Sequence, residues 1–190
     1  PMSVSQLMKR RLDVRNSEKE VKSSWLDNYF DTGDAIAYHP NGNMKIVLDS
    51  EILRQLNPES KLKNGVLVLE DGVYEKIDSG EFTRKELENC VEKYLTKEQA
   101  RENLVWNVLA RDKNLLNDYT NFIFAEAKKR FNYNDNLGVY LDSPSDYPKL
   151  RALYLNGLEF RSYVSGRGSL DGNIGLFAGL APEARKKISE

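Results

Sequence analysis

The chain has 190 residues, with 28 Lys and Arg against 29 Asp and Glu, and a formal net charge of -1. This charge balance excludes a global field that would attract nucleic acid or an anionic membrane. The one cysteine, Cys90, excludes an internal disulfide, and the one histidine, His39, leaves too few ligands for a Cys/His zinc site. Because there is no secretory signal and no run of about 18 apolar residues, we expect a soluble, cytoplasmic protein.

Apolar residues near the N-terminus recur at helical spacing within an otherwise charged stretch. This pattern predicts an arm or a short helix over residues 1–24. Residues 25–190 contain no linker rich in Pro, Ser or Gly, so we expect them to form a single domain. The apolar positions of the N-terminal stretch are Val4, Leu7, Met8 and Leu12.

Short apolar runs separated by turn residues fill the front half of the chain. Asn41-Gly42 and Asp71-Gly72 each lie between two such runs, and both dipeptides favour hairpins. The sequence therefore predicts two antiparallel hairpins, with a short helix capped by Ser50 between them. The predicted strands cover residues 35–38, 44–48, 66–69 and 73–77.

The middle of the chain changes to helical periodicity. Thr83 with Glu86 has the spacing of a capping box, as does Thr96 with Gln99. Apolar residues after each box recur on one helical face, and a third stripe runs to residue 131, so we predict three amphipathic helices. Their stripes contain Leu87, Cys90, Val91, Tyr94 and Leu95; Ala100, Leu104, Val105, Val108 and Leu109; and Leu115, Leu116, Tyr119, Phe122, Ile123 and Ala127.

The last third of the chain is predicted to return to the sheet. Residues 137–141 and 160–164 have strand character, residues 148–155 have helical spacing, and Pro182 favours a closing helix over 182–188. Strands followed by helices favour the α+β class over a regularly alternating fold. The expected architecture is an antiparallel, hairpin-rich sheet with three central amphipathic helices and a Gly-rich C-terminal segment.

Six of the twelve glycines lie within residues 157–179. Such a cluster indicates special dihedrals or close approach of another group to the backbone. Backbone amides there can form a nest for an anion, and serine and arginine can add donors, although the spacing matches no nucleotide-binding motif. One interpretation is therefore a domain, with or without enzymatic activity, that binds a small anion or a phosphate-containing ligand. The predicted ligand-binding residues are Arg161, Ser165, Gly166, Arg167, Gly168, Ser169 and Asp171.

The preferred interpretation is a non-catalytic interaction or oligomerisation protein, because no catalytic set stands out in the sequence. The Gly-rich tail would let a protein partner or a second copy pack closely against the backbone. The sequence leaves open whether any reaction is catalysed and indicates no particular cofactor and no metal. The apolar residues of the expected contact patch are Ile174, Leu176, Phe177 and Leu180.

Other polar features have simpler structural explanations. Asp31-Thr32-Gly33 is the nucleophilic tripeptide of aspartic proteases, but a single copy would need a homodimer, and an Asp-Gly turn accounts for it. His39 fits a general base, yet a turn residue before Pro40 explains it better. Two groups of acidic residues lack the spacing of an EF-hand. They are Asp27, Asp31 and Asp34, and Asp135, Asp142 and Asp146.

Tyrosines recur in the last third of the chain, where they cross predicted helix, loop and strand. We therefore expect them to share no common face. Acidic residues offset the basic residues near them, which argues against nucleic-acid binding. These tyrosines are Tyr133, Tyr140, Tyr147, Tyr154 and Tyr163.

Overall fold

The computed structural model of the protein describes residues 1–91, 93–171 and 176–177. The predicted closing helix over 182–188 and two expected contact residues, Ile174 and Leu180, lie outside the described residues. The described chain combines helices and strands around a curled sheet, which confirms the mixed α and β class. None of its described helices has the length and apolar character needed to cross a membrane.

The helices are short except for the last, which has 19 residues. Two single turns of 3-10 helix, Val14–Asn16 and Leu158–Phe160, complete the helical structure of the described chain. The α-helices are α1 (Val4–Asp13), α2 (Lys19–Leu26), α3 (Glu51–Arg54), α4 (Val73–Lys76), α5 (Arg84–Leu87), α6 (Lys97–Glu102), α7 (Leu104–Ala110) and α8 (Lys113–Phe131).

The strands belong to one sheet, whose main path has the order β5-β2-β1-β8-β9-β7-β6. β4 pairs with β3 and β8, and β10 pairs with β1. The pairs β1–β10 and β7–β9 are parallel, and the other described pairs are antiparallel. The strands are β1 (Phe30–Tyr38), β2 (Met44–Val47), β3 (Leu62–Lys63), β4 (Val66–Val68), β5 (Glu81–Phe82), β6 (Lys93–Leu95), β7 (Asn136–Tyr140), β8 (Lys149–Leu155), β9 (Val164–Ser165) and β10 (Leu176–Phe177).

Alternate residues of the central strands enter two separate apolar clusters. Ile36 of β1 and Leu153 of β8 pack with α1, α7 and α8 in the main core. Ala35 of β1 and Leu150 of β8 belong instead to a smaller cluster. Because successive side chains of a strand point to opposite faces, α1, α7 and α8 cover one face of the sheet, and the smaller cluster, to which α3 and α4 contribute, lies on the other.

The N-terminal residues form α1, an integral part of the main core. Ser3 caps this helix in a capping box with Gln6, and Leu7 and Met8 are fully buried. The long third helix, α8, was also expected from its apolar stripe. Both capping boxes read from the sequence are present, at Thr83 and Thr96.

The first of the three predicted central helices is wrong beyond its first turn. α5 ends at Leu87, and residues 93–95 form the edge strand β6. This strand pairs with β7, in which Val139 lies opposite Lys93. Strand pairing at the sheet edge therefore replaces the helical continuation that the apolar spacing had indicated. The second helix is divided by Asn103, whose side chain caps the start of α7.

The predicted hairpin between residues 66–69 and 73–77 is also wrong, whereas the hairpin of β1 and β2 is present. The segment after Gly72 forms α4, a single helical turn. The buried ammonium of Lys45 donates to the carbonyl oxygens of Tyr74 at 3.1 Å and Ile77 at 2.9 Å. These bonds satisfy carbonyls at the end of the turn, and β4 pairs with β8 instead.

The predicted helix over 148–155 is a strand, β8, at the centre of the sheet. Its charged residues, Lys149 and Arg151, both bind the carboxylate of Asp142, which lets them lie within a sheet. The strand predicted over 160–164 starts later, because Leu158–Phe160 forms a 3-10 turn before β9.

A fully buried arginine, Arg11, connects α1 to four other parts of the fold. Its guanidinium donates to the carbonyl oxygens of Trp25 at 2.9 Å, Asn28 at 3.2 Å and Asn156 at 2.9 Å, and to the hydroxyl of Tyr119 at 3.0 Å. Among the described residues it has no carboxylate partner. Its positive charge is therefore stabilised by oriented carbonyl dipoles.

We expect Arg11→Lys to lower the free energy of unfolding by about 2–4 kcal/mol, because an ammonium cannot reproduce the planar fork that reaches these separate acceptors. Urea denaturation measures this loss. Arg15→Lys, a matched change at an exposed position of the adjacent 3-10 turn, should change the free energy of unfolding by less than about 0.5 kcal/mol. Equal effects of the two substitutions would contradict the structural role of Arg11.

Candidate functional site

Five tyrosines form a continuous series across the sheet, which we call the tyrosine face. The ring centroids are 6.1 Å apart for Tyr29 and Tyr154, 6.0 Å for Tyr154 and Tyr163, 4.9 Å for Tyr163 and Tyr140, and 6.0 Å for Tyr140 and Tyr94. Every pair is edge-to-face, which is a favourable arrangement for aromatic rings. All five side chains are partly buried.

The order of the strands explains why these tyrosines meet. Tyr29 directly precedes β1, Tyr154 lies in β8, Tyr163 directly precedes β9, Tyr140 ends β7 and Tyr94 lies in β6. These strands are neighbours in the order β1-β8-β9-β7-β6. Each tyrosine adjoins a residue that packs in the main core, so the tyrosine face lies on the side of the sheet opposite α1, α7 and α8. The core neighbours are Phe30, Leu155, Val164, Val139 and Leu95.

Two arginines from the predicted ligand site border the tyrosine face at separate places. The guanidinium of Arg161 lies 4.5 Å from the ring centroid of Tyr94 and 4.3 Å from that of Tyr133, with Asp135 at 3.5 Å. The guanidinium of Arg167 lies 5.7 Å from the ring of Tyr140. Both contacts have the geometry of a cation–π interaction.

The two arginines do not converge on one point. Arg161 binds Asp135, which precedes β7, whereas Arg167 Nε donates to the carbonyl oxygen of Leu141, which follows β7, at 2.8 Å. The two partners therefore flank β7, one at its start and the other at its end. The structure therefore places Arg167, with the rest of segment 165–171, near the end of β7. Arg161 lies near the start of the same strand.

The Gly-rich segment lies against the sheet, and several of its amides are already bonded. The amide of Gly166 donates to the carbonyl oxygen of Tyr140 at 2.8 Å, and that of Leu170 to Gly65 at 2.8 Å. The amide of Arg167 donates to the hydroxyl of the buried Ser165 at 3.2 Å. These three amides are consequently not directed at a common external anion. The remaining members of the predicted site, Ser169 and Asp171, hydrogen-bond to each other beside Gly65.

Two glycines of this segment permit close approach of other parts of the same chain. A Cβ at Gly168 would lie 3.0 Å from the carbonyl oxygen of Ala152 and 3.3 Å from Cδ1 of Tyr154. A Cβ at Gly166 would collide with the hydroxyl of Tyr38. The close approach that the glycine cluster indicated is therefore, at these positions, packing within the protein.

Two hydroxyls of the tyrosine face, those of Tyr29 and Tyr163, stay neutral near pH 7. Burial, together with the Tyr154 hydroxyl, raises the pKa of Tyr163 to about 12. Burial and the charge of Asp31 raise the pKa of Tyr29 above its ordinary value. These groups can therefore donate and accept hydrogen bonds, but neither is an anionic nucleophile or base at neutral pH.

The tripeptide Asp31-Thr32-Gly33 lies within β1, next to a more deeply buried carboxylate. Asp34 accepts hydrogen bonds from the amide of Val4 at 2.7 Å and from Arg111 at 2.9 Å, and it has no exposed surface. Burial raises the pKa of Asp34, and these donors offset only part of that effect. Asp34 therefore joins α1 to the end of α7 through β1, which is a structural role.

The other polar candidates also have structural partners. His39 lies in the β1–β2 turn, where Nδ1 accepts from the amide of Asn41 at 3.3 Å. Asp142 accepts from Lys149 at 2.7 Å and from Arg151 at 2.6 Å. Across the portion of the chain that the structure describes, no group of three or more His, Cys, Asp or Glu side chains could hold a metal ion.

The tyrosine face was not predicted from the sequence, because the apolar spacing of residues 148–155 had indicated a helix. Two other members, Tyr29 and Tyr94, were not grouped with the late tyrosines. Tyr94 had been assigned to the apolar stripe of the first predicted helix, and Tyr29 lies far from them in sequence. A signal was present in β8, where Leu153 and Leu155 alternate with Ala152 and Tyr154. Reading this segment with period 2 would have placed Tyr154 on the sheet face opposite the core.

Comparison with known proteins relates the chain to one fold. No protein family matches the sequence, and no curated protein matches it. A solved structure described as "Accommodation of massive sequence variation in Nanoarchaeota by the C-type lectin fold" is similar, with a TM-score of 0.63 and 18% sequence identity. The match covers 88% of this chain and 81% of that chain. At this identity the similarity shows a shared fold, that of the C-type lectins, and nothing more.

The ion pairs of Asp142 make a testable contribution to stability. Burial alone would raise the pKa of Asp142, but hydrogen bonds from Lys149 and Arg151 outweigh it and lower the pKa below the ordinary 3.8. The stabilisation is therefore present well above pH 3.8 and is lost as the pH falls through the lower, folded-state pKa. We expect Asp142→Asn to cost about 2–4 kcal/mol at pH 7, because it leaves the buried Lys149 without its counter-ion.

Urea denaturation at pH 7, 5 and 3.5 measures this contribution, and the difference between wild type and Asp142→Asn should shrink only at the lowest pH. Asp146→Asn, at an exposed position of the same loop, serves as the control and should have only a small effect on the free energy of unfolding. A difference for Asp142→Asn that already shrinks between pH 7 and pH 5 would contradict the lowered pKa.

Proposed function

We propose that the protein is a non-catalytic recognition domain that binds a protein partner through the tyrosine face. The observation on which this proposal rests is the edge-to-face series of five partly buried tyrosines on the sheet face opposite α1, α7 and α8. This proposal keeps the interaction class inferred from the sequence. It moves the expected contact surface from the Gly-rich tail to the sheet.

Tyrosine suits a recognition surface because each ring offers a large apolar area and a polar hydroxyl while losing little conformational entropy. Tyrosine and arginine are enriched among the residues that contribute most to the affinity of protein complexes. Arg161 and Arg167 border the rings and add positive charge at the rim. The composition of this surface therefore resembles that of a protein interface.

The rings are also held in place before any partner arrives. Gly168 packs against Tyr154, and each ring contacts at least one other ring of the series. Preorganised side chains lose less entropy on binding, which increases affinity without adding contacts. A rigid aromatic surface on a sheet is consistent with recognition rather than with a conformational switch.

The similar solved structure concerns a C-type lectin fold that accommodates massive sequence variation. We infer that the present chain uses its fold in a related way, as a stable support for a variable contact surface. The two faces of the sheet support this division of roles. The main-core residues beside each tyrosine would maintain the fold, while the amino acids at the tyrosine positions could vary without loss of the fold.

Site-specific photo-crosslinking tests the proposal. Benzoylphenylalanine placed at Tyr94 or Tyr154 should crosslink a partner protein in extracts of cells that make this protein, because both positions lie within the proposed contact surface. The same probe at Asp118 or Ala125, which are exposed on α8, should give no such product. Mass spectrometry of the crosslinked species identifies the partner or reveals a second copy of this chain.

Once the partner is known, Tyr154→Ala should weaken binding at least 10-fold while lowering the free energy of unfolding by only about 1 kcal/mol. Crosslinks of equal yield from both faces, or undiminished binding by Tyr154→Ala, would exclude the tyrosine face as the site. A thermal melt of every variant confirms that it is folded.

A further inference from the structure

A cleft of about 600 Å³ lies apart from the aromatic series of the tyrosine face, between the β1–β2 turn and α5. Asn43 from the turn, Arg84 from α5 and Ser143 from the loop after β7 line it. Arg167 lines it as well, and so borders both the cleft and the tyrosine face. The volume falls within the range of sites that bind small molecules in proteins.

The floor of the cleft is apolar. Met44, Leu87 and Leu141 are all buried, and each contributes to the lining. The partly buried Val91 and the exposed Pro144 extend the apolar lining. A ligand that fits this cleft would therefore have an apolar body, because burying such a body against these side chains is favourable.

The rim of the cleft is positively charged. Arg84 and Lys85 are exposed, and within the described chain neither forms an ion pair. The acidic lining residue Asp142 is already bound by two cations, Lys149 and Arg151, neither of which lines the cleft. Glu88 is the other acidic lining residue, so positive charge exceeds negative charge at this site. This excess favours an anion at the rim.

We propose that this cleft binds a small organic anion that combines an aromatic or aliphatic body with one phosphate or carboxylate group. The apolar body lies against Leu87 and Leu141, and the anionic group contacts Arg84 and Lys85. Like the site predicted from the glycine cluster, this cleft would bind an anion. Arg167 belongs to both the predicted site and the cleft. Its other two cations, Arg84 and Lys85, come from α5, which no pattern in the sequence connects with residue 167. The proposal does not depend on the function of the tyrosine face.

Isothermal titration of the full chain with four probes tests the chemistry. Phenyl phosphate should bind at least 10-fold more tightly than phenol, which lacks the anion, and than inorganic phosphate, which lacks the apolar body. Benzoate in the same titration distinguishes a carboxylate preference from a phosphate preference. If phenol or inorganic phosphate binds as tightly as the better of phenyl phosphate and benzoate, or if no probe binds at millimolar concentration, the proposal is wrong.

A pair of double variants locates the site. Arg84→Gln with Lys85→Gln should weaken the better-binding aromatic anion about 10-fold or more, through the loss of two charge-assisted contacts. The matched control, Lys19→Gln with Lys129→Gln, removes the same charge at exposed positions on other helices and should leave affinity within twofold. Equal weakening by both double variants would show a non-specific effect of net charge. Amide chemical shifts of Asn43 and Ser143 in the wild type provide an independent readout, and their failure to move on binding would place the ligand elsewhere.

Discussion

The buried guanidinium of Arg11 holds together the ends of the elements that form the tyrosine face. A charge in the interior is tolerated only when its hydrogen-bonding groups are satisfied, so the carbonyls that surround Arg11 have to remain in position. Three of these acceptors are backbone oxygens, at Trp25, Asn28 and Asn156. Trp25 and Asn28 are close in sequence, whereas Asn156 is distant from both, so the guanidinium joins two separate segments of the chain.

The acceptors lie next to members of the tyrosine face along the chain. Asn28 directly precedes Tyr29, Asn156 lies two residues after Tyr154, and Ser162, whose hydroxyl is 3.5 Å from Arg11, directly precedes Tyr163. Three members of the tyrosine face are therefore adjacent to groups that one buried side chain positions. A polar network on the core side of the sheet thus positions an aromatic surface on the other side, which would lower the entropic cost of the proposed binding.

Local signals in the sequence were reliable where local chemistry decides the structure. Both predicted capping boxes exist, because a Thr hydroxyl and a nearby Glu or Gln satisfy amides without help from the rest of the fold. Segments decided by distant contacts were misread. The helical spacing in β8 gave no indication that Lys149 and Arg151 would be neutralised by Asp142. The tyrosine face was not predicted for the same reason. Its tyrosines meet only through the order of strands in the sheet, which no local pattern encodes.

Native-state hydrogen exchange on Arg11→Lys, with Arg15→Lys as the control, tests this account most directly. If Arg11 holds the framework of the tyrosine face, amides in residues 26–31 and 154–164 should lose protection selectively, while those of the β1–β2 hairpin keep theirs. Uniform loss of protection across the sheet, or loss confined to α1, would contradict the account, because Arg11 would then be a general determinant of stability and not the organiser of this surface.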